Sequence, residues 1–358
     1  MKILFLTRFG KLGASSRMRI FQYFPWFKFS SIDTVVSPLF DDSMLILKYR
    51  HGSYKLLDIL WAYCRRFYVL ISIRQFDLIW IEKEALPWFP AWLESWVLRH
   101  KPYVIDLDDA IFHNYDLHRF AWVRRFYGRR IDVLMAGASL VVGGNRYLAD
   151  RAIAAGARRV KVIPTVVDLC RYVPRQDCSV ATKPTIVWIG SPSSVQYLRE
   201  LAEPLVMLAK RQSFTLRVIG GGTLNIPGVN VESFPWSEEA EAALIQTCDV
   251  GIMPLRDTPW EQGKCAYKLI QYMACGLPTV ASPIGANCEV VIAGETGLFA
   301  NSQQEWVETL EKLLSEAGLR QRFGQAGRAR VEAEYSLQQI APRLVSLFKE
   351  VVRKQCAD

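Results

Sequence analysis

Residues Gly263 to Ala300 read GKCAYKLIQYMACGLPTVASPIGANCEVVIAGETGLFA. Leu269, Tyr272 and Met273 recur at i, i+3 and i+4, which predicts a helix with one buried face. Gly276 caps it, and Pro278 forbids its continuation. The run Thr279 to Ala281 is short, β-branched and bounded by Pro283 and Gly285, the pattern of a buried parallel strand. A second turn then leads to another short strand. The C-terminal end of a strand in an open α/β sheet is where ligands sit, so this helix, strand and glycine turn point to a ligand-binding edge.

The same alternation runs through the chain. Before residue 168 the expected strands are Lys2 to Arg8, Thr34 to Leu39, Leu78 to Glu82, Tyr103 to Asp108, Leu140 to Gly144 and Val160 to Ile163. The polar, aperiodic stretch Asp168 to Lys183 interrupts the rhythm. It restarts at Thr185 to Gly190 and continues through Leu216 to Gly220, Val229 to Phe234, Val250 to Pro254 and Thr279 to Ala281. The expectation is an α/β protein of two Rossmann-like parallel-sheet domains facing a central cleft, at residues 1–168 and 184–340. Residues 169–183 would be the linker. Amphipathic helices are expected over Glu305 to Ala317 and Ser336 to Arg353, with 341–358 in position to cross back to the first domain.

The 358 residues carry 44 Lys+Arg and 35 Asp+Glu, distributed unevenly. Residues 1–170 hold 25 basic and 15 acidic side chains against 19 and 20 in the remainder, so the net charge is +10 in front and −1 behind. Much of the excess lies in Lys48 to Arg74 and His118 to Arg130, where arginines alternate with Trp, Tyr and Phe; such segments suit an anionic membrane surface. No motif of nucleic-acid recognition accompanies them, so nucleic acid is not expected as a partner. The eight cysteines form no CxxC pair, which fits a reduced, cytoplasmic setting. No apolar run reaches the roughly 20 residues of a membrane span, and the N-terminus reads as a first strand, not a signal peptide. Contact with a membrane would be peripheral, at its inner face.

Four strand ends carry candidate chemistry. The first leads into RFGKLGASSRMR, where Gly13, Ser15, Ser16, Arg17 and Arg19 form a glycine turn, small hydroxyl residues and an arginine pair suited to an anion. The fourth ends in VIDLDDAIFHNY, which sets Asp106, Asp108 and Asp109 at a ligand edge, where they suit hydroxyl recognition or general-base work; the alternative is a helix cap or a pair with Arg17 or Arg124. His113 is a second candidate base. WIGSPSS places Gly190, Ser191, Ser193 and Ser194 at a strand-to-helix turn able to cradle a phosphate, and VIGGG allows close backbone approach at Gly220 to Gly222. Lys264 and Lys268 read as neighbours one turn apart in the first turns of the opening helix.

Gln271-Tyr-Met-Ala-Cys-Gly-Leu-Pro-Thr-Val-Ala-Ser followed by Gly285, Glu289 and GETGLFA resembles the donor-binding signature of family 4 glycosyltransferases, retaining enzymes of the GT-B fold. VVGGNRYLADRA, VIPTVVD, WIGSPSS and LRQRFGQAGRARVEAEYS extend the resemblance over most of the chain. It implies a nucleotide-diphosphate sugar held by the second domain, a glycan or lipid-linked acceptor held by the first, and no cofactor or obligatory metal. The family's two glutamates, eight residues apart, fall at Gly263 and Gln271, so the chain resembles a variant subgroup lacking that pair. The resemblance then gives Lys268 the diphosphate and Gln271 the ribose hydroxyls, with Lys264 as the other cation. Asp108 and Asp109 stand where the family often has His-Asp near the sugar. They are expected to hold acceptor and sugar hydroxyls first and to act as base second, because the departing diphosphate is thought to help deprotonate the acceptor. The expected activity is sugar transfer from a nucleotide-diphosphate sugar. The alternatives are a nucleotide-sugar epimerase of the same fold and a non-catalytic binding or assembly subunit.

Overall fold

A computed structural model describes residues 1–174 and 183–355. Most of the expected linker, at 175–182, therefore lies outside the described residues. The chain forms two compact units: Met1–Thr165 with Gln262–Cys265 and the residues from Ile340 onward, and Val166–Glu261 with Ala266–Gln339.

The first unit holds β1 (Lys2–Phe9), β2 (Asp33–Phe40), β3 (Leu78–Glu82), β4 (Tyr103–Leu107), β5 (Leu140–Gly143) and β6 (Val160–Val162) in one parallel sheet, ordered β2-β1-β3-β4-β5-β6. Strands β3 and β4 are buried along their whole length, which is why they read as unbroken apolar runs. Leu4, Leu6, Ile79, Ile81, Ile105 and Val141 pack under the helices Leu56–Ile71, Ala91–Leu98 and Arg130–Gly137. The last helix, Leu337–Gln355, contributes to this unit through Phe348, whose ring meets Phe5 and Trp80.

The second unit holds β7 (Thr185–Ile189), β8 (Thr215–Ile219), β9 (Asn230–Phe234), β10 (Val250–Met253), β11 (Thr279–Ala281) and β12 (Gly297–Phe299), again parallel, ordered β12-β11-β10-β7-β8-β9. The eleven strands read from the sequence are all present, each end within one residue, and β12 is the short strand after the second turn. The helix Tyr267–Ala274 buries Leu269, Ile270, Tyr272 and Met273. Gly251 lets it settle on the sheet, since a Cβ there would stand 2.3 Å from the Tyr272 ring. LRQRFGQAGRARVEAE, left unassigned by periodicity, forms the helix Ala317–Glu334.

One expectation is corrected. Lys264 is not on the opening helix, which begins at Tyr267 after Ala266 in a left-handed conformation at φ 51°. Residues Gln262–Cys265 pack with the first unit instead. The Asn145 side chain donates to the carbonyls of Gln262 (3.2 Å) and Lys264 (3.0 Å) while its oxygen caps the helix Arg146–Ala154. The Cys265 thiol donates to the Asp108 carbonyl at 3.1 Å. These bonds hold the segment out of the helical path.

Candidate functional site

Each sheet has one place where strand order reverses, between β1 and β3 in the first and between β7 and β10 in the second. Ligand sites of open α/β sheets form at the C-terminal edge of such a switch point. The candidate residues gather at these two edges.

At the first edge, Glu82 ends β3 and Lys83 and Glu84 follow it, facing the turn after β1 and the aspartates at the end of β4 and after it. Lys83, at φ 67°, reaches Asp108 (2.9 Å), Asp109 (3.3 Å) and the Ser15 hydroxyl (3.1 Å). Ser16 is fully buried; its hydroxyl donates to Glu82 at 2.6 Å and accepts the Phe9 N–H at 3.2 Å. Arg17 is buried and donates to the Lys11 carbonyl. Gly13 is required where it stands, because a Cβ would lie 2.3 Å from that of Phe9. Asp106 is paired bidentately, but with Arg19 (3.1 and 2.5 Å), not with Arg17 or Arg124. None of the three aspartates caps the short helix His113–Asp116. Both ring nitrogens of His113 are engaged, by Asp116 at 2.7 Å and the Tyr147 hydroxyl at 2.8 Å, so the geometry gives it a structural role.

Burial and pairing sort these groups. Burial lifts Glu82 to about 7 against the opposing charge of Lys83. Burial likewise raises Asp109, joined by the charge of Asp108 and offset by Lys83 and Lys264. Asp108 is held below the usual carboxylate range: burial would raise it, but Lys83, Ser15 and Arg19 outweigh that. Burial alone would lower Lys83, yet Asp108 and Asp109 keep it above its ordinary value and fully charged. Asp108 is therefore a fixed anion, and Asp109 is the more readily protonated of the pair. Glu82, Lys83 and Glu84 were not singled out from the sequence, although three successive charges ending a buried strand were a usable signal.

At the second edge a turn of glycines and serines meets a lysine. Ser191 Oγ lies 2.8 Å from Ser193 Oγ and 3.3 Å from Ser194 Oγ in an exposed turn. The Lys268 ammonium stands 4.1 Å from the centre of the buried Trp188 ring. Gly190 lies between them, since a Cβ there would meet Ser194 Oγ at 2.6 Å, the Trp188 ring at 2.6 Å and Lys268 Nζ at 2.8 Å. Gly220, at φ 79°, closes on the Gly190 carbonyl, and Gly221 on the Trp188 ring. Gly190, Ser191, Ser193 and Lys268 are thus brought together.

Gln271 lies in the core of this unit. Its amide donates to the Tyr172 hydroxyl (2.8 Å), which donates to Glu241 (2.7 Å), whose other oxygen accepts Trp236 Nε1 (2.7 Å). Glu261 is also buried, with its oxygens taken by the Tyr197 and Thr258 hydroxyls. Glu289 is half-buried in the helix Asn287–Val290, and its carbonyl accepts from Arg330 and Tyr335. Gly263, in the first unit, leaves no room for a side chain: a Cβ would stand 2.4 Å from that of Ala110 and 2.7 Å from its backbone nitrogen.

Comparison with solved structures matches the architecture over nearly the whole chain. The crystal structure of Anabaena HepE in complex with UDP and glucose superposes with a TM-score of 0.73 at 18% identity, covering 98% of this chain and 100% of that one. Sucrose-phosphate synthase from Thermosynechococcus elongatus gives 0.70 at 16%, covering 99% and 100%. The fold is GT-B. Residues 183–316, which include the second edge, match the family model described as Glycosyl transferases group 1. The spore coat protein SA of Bacillus subtilis is 34% identical over 82 residues, and the chain spans about a fifth (22%) of that relative's length. Among the described residues no helix is long and apolar enough to cross a membrane.

Proposed function

We propose that the chain is a retaining glycosyltransferase that moves a sugar from a nucleotide-diphosphate sugar to a glycan or lipid-linked acceptor, at the cytoplasmic face of a membrane. One observation carries the reading: within the segment that matches the glycosyltransferase model, Lys268 and the Gly190–Ser194 turn place a cation beside a cluster of small hydroxyls at a sheet's switch point. An ammonium over an aromatic face, next to small hydrogen-bonding groups, suits a diphosphate and stabilises the charge that builds on it as it leaves. UDP is the first nucleotide to try, because HepE is known with UDP and with UDP-glucose.

In this reading the first edge holds the acceptor. Asp108, kept ionised by Lys83, accepts hydrogen bonds from hydroxyls, and Asp109 takes up a proton as the acceptor hydroxyl attacks. Lys268 neutralises the diphosphate, so transfer is expected to be insensitive to a chelator. The packing of Gly263 on Ala110 favours a second reading, a non-catalytic scaffold, since it removes one of the family's glutamates without a local substitute. A thermal-shift screen against UDP, GDP, ADP and CMP sugars, followed by product analysis with acceptor, tests both. Stabilisation and transfer support the enzyme; stabilisation without product supports the scaffold; no stabilisation by any nucleotide sugar overturns the donor site.

A further inference from the structure

The helix Leu56–Ile71 has two apolar faces. Ala62, Arg66 and Leu70 are buried against the sheet. Leu57, Leu60, Trp61, Cys64, Tyr68 and Ile71 recur at i, i+3, i+4, i+7, i+11 and i+14 and stand in solvent, with Trp61 70% and Tyr68 77% exposed. Its neighbours repeat the pattern. Trp92 and Trp96 lie one turn apart on the outer face of Ala91–Leu98, and Trp122 and Phe126 do so on Ala121–Tyr127, with Trp92 69% and Phe126 74% exposed. The three helices meet at the loop after β3: Tyr63 and Phe67 pack on Phe89, the Tyr63 hydroxyl donates to the Pro87 carbonyl, and Trp88 meets Tyr127.

Position and charge decide what this surface fits. The fully buried Arg66 donates to the carbonyls of Thr7, Ser37 and Ala85, near the C-terminal ends of β1 and β2 and in the loop after β3. The helix runs back against the strands, and its earlier turns reach the strand ends, where Ile59 and Ala62 pack with Phe9, Leu39 and Phe40. Leu57, Leu60 and Trp61 therefore rise on the side of the sheet where Lys83, Asp108 and Asp109 lie. Cations rim the aromatics. Arg119, Arg124, Arg125 and Arg129 are exposed in residues 117–131, which contain no acidic side chain, and Arg50 and Lys55 are exposed just before the long helix. Apolar surface of this extent in solvent marks an interaction face. Tryptophan and tyrosine set among arginines fit the headgroup level of a bilayer, with cations meeting anionic lipid. A second copy would bring two cationic rims together.

We propose that the first unit docks on an anionic bilayer through the outer faces of Leu56–Ile71, Ala91–Leu98 and Ala121–Tyr127, presenting the edge of β1, β3 and β4 to the lipid surface. This rests on the proposed lipid-linked acceptor and gives it a source: the membrane on which the enzyme sits. The whole chain is sedimented, without any nucleotide sugar, with vesicles of phosphatidylcholine alone or containing about one-third phosphatidylglycerol. The expected result is binding to the anionic vesicles, weakened about tenfold by Arg124→Gln with Arg125→Gln, by high salt, and by Trp61→Ala with Trp92→Ala. These side chains are exposed, and an unchanged melting temperature confirms that the variants fold. No sedimentation with anionic vesicles overturns the proposal, as does loss of self-association in sedimentation velocity on Trp61→Ala, which would assign the face to a second copy. Because no donor is present, failure here leaves the donor reading standing, and failure of the nucleotide screen leaves this one standing.

Discussion

The two sheet edges share a topology and differ in electrostatics. The first pairs Arg19 with Asp106 and Lys83 with Asp108, beside the buried Glu82, whose Oε2 accepts from the Ser16 hydroxyl and the Arg8 N–H. The second sets glycines and serines around an ammonium that stands over the Trp188 ring. A buried ion network is costly to assemble and then holds its members rigidly. A turn of glycines and hydroxyls beside a cation suits an anionic ligand. The comparison teaches why the proposal gives hydroxyl recognition to the first edge and diphosphate recognition to the second, although each is the same feature of the same kind of sheet.

The comparison breaks most visibly at Lys83. Lys83→Met leaves Asp108 and Asp109 without their shared counter-charge, and urea unfolding should show a loss of about 3–5 kcal/mol. A loss below about 1 kcal/mol would mean that the network is not what holds the first edge. Glu82 sharpens the same point through pH. Its folded pKa, about 7, lies above its ordinary 4.5, so its contribution to stability is fully present below 4.5 and is lost as pH rises through about 7. Glu82→Gln removes that loss. Thermal melts across pH should bring variant and wild type together near pH 4 and show the variant ahead by on the order of 3 kcal/mol at pH 8. A constant difference at all pH values would place Glu82 in a less buried environment.

A smaller effect is expected in the core of the second unit. Gln271→Glu sets two carboxylates on Tyr172, which has one proton to donate and already gives it to Glu241. Denaturation at pH 7 should show a loss of about 2 kcal/mol that shrinks as the solution is acidified. An unchanged midpoint would show that a glutamate is tolerated at this position, and the amide would lose its structural explanation.

Much of the fold was legible because parallel strands buried on both faces write themselves as apolar runs, and glycines mark their ends. β3 and β11 were read to the residue for that reason. The glycine turn at Gly190 was legible too, since small residues after a strand are a local signal. The partnerships were not. Lys83 finds Asp108 and Arg19 finds Asp106 only after strands far apart in sequence become neighbours in the order β1-β3-β4. Lys264 was misplaced for the same reason: Asn145, more than a hundred residues away, takes the carbonyls that a helix would have used. The glutamate that the resemblance expects at position 263 would have no room beside Ala110, a steric fact with no trace in local pattern.

Titration calorimetry of UDP with the wild-type chain and with Lys268→Ala tests the assignment of the second edge most directly. The account predicts binding by the wild type and affinity at least about tenfold weaker in the variant, the loss of one charge-assisted contact. Equal affinity for the two proteins would contradict it.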